Sequence, residues 1–153
     1  MLIGGINMGE VDKYKKSSLD AVTLGAQVFT AVDGGVLEFN QNNVITGGSI
    51  YHQGGASIRL RKAGLYLVMV DADVLATAAG DVTLQLFNNG VAVPGAQATI
   101  TAAAADTEHV SFSALVVVPL SCCEYGYTTG NLTVGIDVPA TVTNAHIVVA
   151  KLA

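Results

Sequence analysis

The chain has 153 residues, of which 51% are apolar and 12% are charged, and its formal net charge at pH 7 is −5. The length fits one domain that can bury a core without disulfides or a metal ion. The charged fraction is about half that of an average soluble domain, yet polar residues interrupt every apolar run, so no segment reaches the ~20 residues of a membrane-spanning helix. Six of the seven basic residues lie at or before Lys62. We therefore expect no broad basic face and no nucleic-acid partner.

Residues 1–18 differ in composition from the rest, and we expect them to form an N-terminal arm ahead of a domain at residues 19–153. The arm has an apolar start and a basic end. Its candidate anchoring residues are Leu2, Ile3, Lys13, Tyr14, Lys15 and Lys16. It lacks the basic start and long apolar stretch of a secretory signal, so we expect no export by that route. Two interpretations stay open, a disordered leader and an anchor that docks the protein onto a larger body.

Beyond the arm, apolar residues alternate with polar ones, a period of two that indicates strands rather than helices. The predicted strands are, in chain order, Val22–Val32, Val36–Phe39, Asn43–Tyr51, Ile58–Arg61, Leu65–Val74, Val82–Leu86, Val91–Val93 continued by Gln97–Thr101, His109–Val118, Leu132–Val138 and His146–Lys151. Asn88-Asn89-Gly90 is a hairpin turn signal, and Ala102–Asp106 is predicted to be a loop. About nine or ten short strands with turn signals every ~8–12 residues predict an all-β sandwich or jelly roll.

Two of these strands are apolar on both faces. In the first, the even positions from Tyr66 to Val74 are apolar, but so are the odd positions Leu65, Leu67 and Met69. In His109–Val118 the second face carries Leu115 and Val117. A partner sheet covers only one face of a strand, and contiguous exposed apolar surface usually marks an interface. We therefore expect these five residues to pack against another copy of the chain.

The run GASIRLRKAGLYLV at 55–68 resembles the signature of C1q/TNF-like jelly rolls, with Gly64 and Tyr66 at its Gly-x-Tyr step. Residues 82–95 and 142–152 resemble the bacterial and phage branch of that superfamily, which includes C-terminal domains of spore-surface collagen-like glycoproteins and phage head-fibre or decoration proteins. The resemblance implies a sandwich of about ten antiparallel strands, packed as a tight trimer around a three-fold axis. It implies binding or building rather than catalysis. In contrast to stalked members, no collagen-like Gly-X-Y repeat precedes the domain.

The sequence offers no catalytic constellation. His52, His109 and His146 each stand alone along the chain, and Ser111 and Ser113 lie inside a predicted strand without a Gly-x-Ser-x-Gly elbow. The adjacent pair Cys122–Cys123 is unsuited to an ordinary disulfide, so we interpret both thiols as reduced loop residues. We expect no enzyme activity and no cofactor.

Asp71 and Asp73 are weak candidates for a metal site, because both point to the same side of one strand. A calcium ion requires about six to eight oxygens, so two carboxylates fall short without a loop or a second subunit. The alternative is a solvated strand end. Three copies of His109 or His146 around a trimer axis could also bind a metal, although a hydrogen-bonded structural role is the simpler interpretation.

The hypothesis for function is a non-enzymatic homotrimer on a bacteriophage virion, either a capsid decoration or a head fibre. It would be assembled in the bacterial cytoplasm and attached through its arm to a capsid or other virion protein. The alternatives are a spore or cell-surface C1q-like module and a lectin-like domain that binds a surface glycan or receptor. Neither membrane nor nucleic acid is an expected partner.

Overall fold

The computed structural model describes residues 16–120 and 129–153, and their regular elements are twelve strands. These strands are β1 Ser18–Val22, β2 Gln27–Phe29, β3 Gly35–Val36, β4 Gln41–Thr46, β5 Ile50–Tyr51, β6 Ile58–Leu60, β7 Gly64–Ala76, β8 Gly80–Asn88, β9 Val91–Ala102, β10 Thr107–Val118, β11 Gly130–Ile136 and β12 Ala140–Lys151. No helix in these two ranges is long and apolar enough to span a membrane.

The strands form two six-stranded sheets that pack face to face. Sheet I has the order β10-β7-β12-β1-β4, with β2 also paired to β12. Sheet II has the order β5-β6-β11-β8-β9, with β3 also paired to β11. Every pairing is antiparallel, and the first strand pairs with the last, Ser18 opposite Ala150. This is a jelly-roll sandwich, as the sequence predicts.

The core lies between the sheets because alternate residues of each strand point inward. On β7 the buried residues are Tyr66, Val68 and Val70, and on β12 they include Ile147 and Val149. Tyr66 is the largest fully buried side chain, and its hydroxyl donates a hydrogen bond to the Lys62 carbonyl oxygen at 2.6 Å. Burial raises the pKa of Tyr66, because the charged phenolate is disfavoured away from water.

The Gly-x-Tyr step has a local physical cause. Gly64 has a φ of 153°, which disfavours residues with a side chain, and a Cβ there would overlap the Ala153 carbonyl oxygen and crowd the Lys151 side chain. The chain end can therefore cross close to the start of β7. Two residues later, Tyr66 enters the core.

The strand bounds differ from the predicted ones in several places. The predicted strand Asn43–Tyr51 is two strands, β4 and β5, and Val36–Phe39 is a strand only at Val36. Val22–Val32 is not one strand, because β1 ends at Val22 and the chain turns at Gly25, where φ is 86°. β12 begins at Ala140, earlier than the predicted start at His146. β9 continues past Pro94-Gly95, because the register with β8 shifts there and the Gln85 side-chain amide donates to the carbonyl oxygens of Val93 and Ala96.

The folded domain includes the end of the predicted arm. Ser17 is buried, its hydroxyl accepts a hydrogen bond from the Ser49 backbone amide at 2.8 Å, and its carbonyl oxygen accepts one from the Lys151 amide at 2.9 Å. The Lys16 ammonium donates to the Leu152 carbonyl oxygen at 2.7 Å. The other candidate anchoring residues, Leu2, Ile3, Lys13, Tyr14 and Lys15, lie outside the described residues.

Candidate assembly interface on the outer face of sheet I

The five predicted interface residues lie side by side on the outer face of sheet I. β10 pairs with β7 so that Leu115 is opposite Leu67 and Val117 is opposite Leu65, while Met69 occupies the next outward position along β7. Much of this surface is exposed in the single chain: 48% of Met69, 55% of Leu115 and 63% of Val117. The arrangement is one contiguous apolar patch rather than scattered side chains.

The patch continues across the sheet onto β12, which the sequence reasoning did not include. Val148 on β12 is opposite Met69, and Ala150 is opposite Leu67. Asp20 on β1 then pairs with both Val148 and Val44 on β4, so its carboxylate separates Val44, which is 46% exposed, from the patch. Sequence alternation could not assign Val148, because it stands within the unbroken apolar run 147–150 and only the pairing shows which of those residues points outward.

Towards the other end of β7 the same outer face becomes polar. His146 lies between two carboxylates, with its Nε2 donating to Asp20 Oδ1 and its Nδ1 3.5 Å from Asp71 Oδ2. One row further along, His109 Nδ1 lies 2.8 Å from Asp73 Oδ1. Two imidazoles and three carboxylates thus form an imidazole–carboxylate cluster directly beside the apolar patch.

This cluster changes the interpretation of Asp71 and Asp73. They do not stand at a solvated strand end but at mid-strand, each next to a histidine from a neighbouring strand. Within residues 16–120 and 129–153, no group of three or more His, Cys, Asp or Glu is arranged to hold a metal ion.

The remaining sequence candidates for chemistry are not brought together. Ser111 is opposite Asp71 and Ser113 is opposite Met69, but in the described parts of the chain no hydrogen bond joins a serine hydroxyl to an imidazole. His52 is buried and hydrogen-bonded on both ring nitrogens, to Asn42 Oδ1 and to the Gly55 carbonyl oxygen. It has a structural role in the core. Cys122 and Cys123 lie outside the described residues.

Sheet II carries a groove that the sequence reasoning missed. It has a volume of about 360 Å³ and lies over Gly135, between Phe87 and Val36, with Asp33 and Asp137 at its rim. The groove exists because Gly135 faces outward on β11. The other outward positions of this strand carry side chains, whereas Gly135 has none and leaves the edge of the Phe87 ring open. A glycine in an alternating strand is the sequence signal that could have indicated it.

Solved structures resemble the whole sandwich. A crystal structure of murine APRIL superposes with a TM-score of 0.67 at 14% identity, covering 90% of this chain and 100% of that one. The fold is that of the TNF and C1q-like jelly rolls. The globular domain of zebrafish complement 1qA protein gives a TM-score of 0.65 at 10% identity, covering 91% of this chain and 98% of that one.

A phage protein has the same fold. The vertex protein P5 of phage PRD1 superposes with a TM-score of 0.57 at 15% identity, and the match covers 90% of this chain and 97% of that one. No protein-family model and no curated protein sequence matches the chain. At these identities the likeness establishes the jelly-roll fold and confirms the C1q/TNF-like architecture predicted from the sequence.

Proposed function

We propose that the protein is a non-enzymatic structural protein that forms a homotrimer through the outer face of sheet I and serves on a bacteriophage virion, as a capsid decoration or head fibre. The observation that supports the assembly is the apolar patch formed by the outward residues of β7, β10 and β12. A soluble monomer would leave this patch in water, whereas a neighbouring copy covers it.

The polar part of the same face suits a specific interface. Apolar contact between the patches provides most of the association energy, at roughly 25 cal/mol per Å² of buried apolar surface. The imidazole–carboxylate cluster then restricts how two copies can be placed, because a buried carboxylate without a hydrogen-bond donor is costly. A closed three-fold arrangement satisfies every copy equally, and it is the arrangement that the family resemblance implies.

The virion role is supported by a different comparison. One of the solved structures with this fold is a vertex protein of a phage, and the described residues of this chain bring together no nucleophile, base and orienting group. The arm, with Leu2, Ile3 and the basic residues from Lys13 to Lys16, would attach the trimer to a capsid or other virion protein. A spore-surface or cell-surface module remains the alternative location.

Two measurements test the proposal. Sedimentation velocity of the full chain at micromolar concentration should show a trimer, and a stable monomer would refute the assembly. Antibody labelling in electron microscopy should then place the protein on purified virions from the producing culture. Label on spores or cell envelopes instead would favour the alternative module.

A second candidate function, glycan binding, is favoured by the groove on sheet II. An apolar floor beside an aromatic ring edge, with carboxylates at the rim, matches the chemistry of sugar rings, which present apolar faces and hydroxyl donors. Phe87→Ala should abolish any signal on a glycan array, while Thr101→Ala, outside the groove, should preserve it. If the intact trimer binds no glycan, the role is purely structural.

A further inference from the structure

The charged residues of the domain are sorted between the two ends of the sandwich. One end, where β1, β7 and β11 begin, carries all five basic residues that the structure describes: Lys16, Arg59, Arg61, Lys62 and Lys151. We call it the basic end. The opposite, acidic end, where β8, β10 and β12 begin, carries Asp33, Asp81, Asp106, Glu108 and Asp137. The other described acids, Asp20, Glu38, Asp71 and Asp73, lie between the ends.

Contacts at the basic end keep its residues together. Ser17, next to Lys16, bonds to Ser49, whose carbonyl oxygen accepts from the Arg61 amide at 2.7 Å. The Arg61 guanidinium lies 4.2 Å from the centroid of the Tyr51 ring, a cation–π contact. The Lys151 side chain passes close to Gly64, two residues after the exposed Lys62. The cations thus come from three separate stretches of chain, at residues 16, 59–62 and 151, that the fold holds at one end of the sandwich.

This arrangement corrects an expectation drawn from the sequence. The uneven distribution of Lys and Arg along the chain predicts no broad basic face. The fold brings Lys151 from the far end of the chain next to Lys16 and Lys62, so a basic surface does form. Lys16, the first described residue, lies at this surface, and Lys13 and Lys15 are close before it in the sequence.

We propose that the basic end is the docking end of the trimer, and that its partner is an acidic protein surface on the particle that carries it. A three-fold axis along the strands places the basic ends of all copies at one height and the acidic ends at the other. The basic surface then contacts the particle, and the acidic end faces outward. This inference rests on the proposed virion role and adds the orientation and the chemistry of the contact.

An acidic protein suits this surface better than another polyanion. The chain as a whole carries a net charge of −5, so an extended nucleic acid or an anionic membrane would be repelled beyond the edge of the basic end. A compact acidic patch on a protein can contact the basic surface alone, without approaching the acidic residues elsewhere on the domain.

The test compares two variants of equal net charge. Arg59→Gln with Lys62→Gln removes two positive charges at the basic end, and Thr77→Glu with Ala79→Glu adds two negative charges in the β7–β8 loop at the acidic end. All four positions are exposed, so both variants should fold and form trimers, which circular dichroism and sedimentation would verify. Binding of each purified trimer to particles made without the protein is then measured at low and at elevated salt.

The basic-end variant should bind the particles at least about tenfold more weakly, the acidic-end variant should bind like the wild type, and added salt should weaken wild-type binding. Equal binding by both variants, or loss only in the acidic-end variant, would overturn the proposed orientation. If the wild type bound duplex DNA or phosphatidylserine vesicles as tightly as it binds particles, the proposal of an acidic protein partner would be overturned. Salt-sensitive stacking of trimers head to tail would also overturn it. If the wild type forms trimers but binds no particle, the proposed virion role is refuted, and the proposed docking end is refuted together with it.

Discussion

The outer faces of the two sheets differ although the sheets share one core. On sheet I the outward residues of β7 and β10 are leucine, methionine and valine at one end of the strands, whereas on sheet II the outward residues are mainly polar, for example Thr83, Gln85 and Thr133. Inner faces of both sheets are equally apolar. The inner faces therefore form the shared core, whereas the outer faces differ in how much apolar surface they expose.

The largest effect is expected from charge on the sheet I face. Met69→Asp with Leu115→Asp should raise the dissociation constant of the trimer by a factor of about a thousand or more, because each interface would bury unpaired carboxylates at several kcal/mol apiece. Sedimentation equilibrium measures this directly. Gln97→Asp with Thr133→Asp, on the outer face of sheet II, is the matched control and should remain trimeric. A control that dissociates equally would mean that the contrast between the faces does not govern assembly.

A second comparison separates the two faces within one strand. Ile147→Ala should lower the free energy of unfolding by about 2–5 kcal/mol, since it leaves a cavity in the core. Val148→Ala, one residue on, points outward and should lower the free energy of unfolding by no more than about 1 kcal/mol, acting mainly on association. Both free energies of unfolding are measured by urea unfolding in the Met69→Asp, Leu115→Asp variant, which is expected to be monomeric. Equal losses there would show that the outer face is packed within the single chain.

The imidazole–carboxylate cluster should contribute less than the apolar patch. His146→Ala leaves Asp20 and Asp71 without the imidazole between them, and the trimer should dissociate about tenfold more readily, by the cost of roughly one lost charge-assisted hydrogen bond. His109, which pairs with a single carboxylate, that of Asp73, among the described residues and is largely exposed, provides the control. His109→Ala should raise the dissociation constant of the trimer by less than His146→Ala. If it raised the constant by more, the interface would have to extend to His109 rather than end near His146.

The smallest effect is expected in the core beneath the interface. Tyr66→Phe removes the hydrogen bond to the Lys62 carbonyl oxygen and should cost about 1 kcal/mol of unfolding free energy near neutral pH. Burial raises the pKa of Tyr66, so the folded state holds the phenolic proton more tightly than the unfolded one.

The resulting contribution to stability is complete below the ordinary tyrosine pKa of about 10 and is lost as the pH rises through the higher pKa of the folded state. Alkaline unfolding curves of the wild type should show this loss, and those of Tyr66→Phe should lack it. Parallel curves for the two proteins would mean that Tyr66 does not titrate in the unfolding range.

The sequence predicts the central strands well because their alternation is long and regular. β7 and β10 lie within two residues of the predicted bounds, and the five interface candidates on them do share a face. The start of β12 was missed because its register shifts between Val142 and Asn144, which breaks the period of two. β1 was missed because Ser18–Val22 straddles the expected arm and is too short to show a period.

What the sequence could not supply depends on which strands become neighbours. The imidazole–carboxylate cluster joins residues 20, 71 and 146, and the basic end joins residues 16, 62 and 151. Neither set is visible as a motif along the chain. The family resemblance supplied the type of fold, but the charge sorting and the set of residues that line the groove over Gly135 follow from pairings that only the structure gives.

The position of β12 also determines the order of events during synthesis. The last strand lies between β7 and β1 in sheet I, so an unfinished chain on the ribosome has no continuous sheet I and no complete outer face. Closing this sheet requires contacts between residues more than a hundred positions apart, such as Ser18 and Ala150, which makes folding slow to nucleate. In the proposed trimer, the outer face of sheet I is therefore complete only after β12 has been added between β7 and β1.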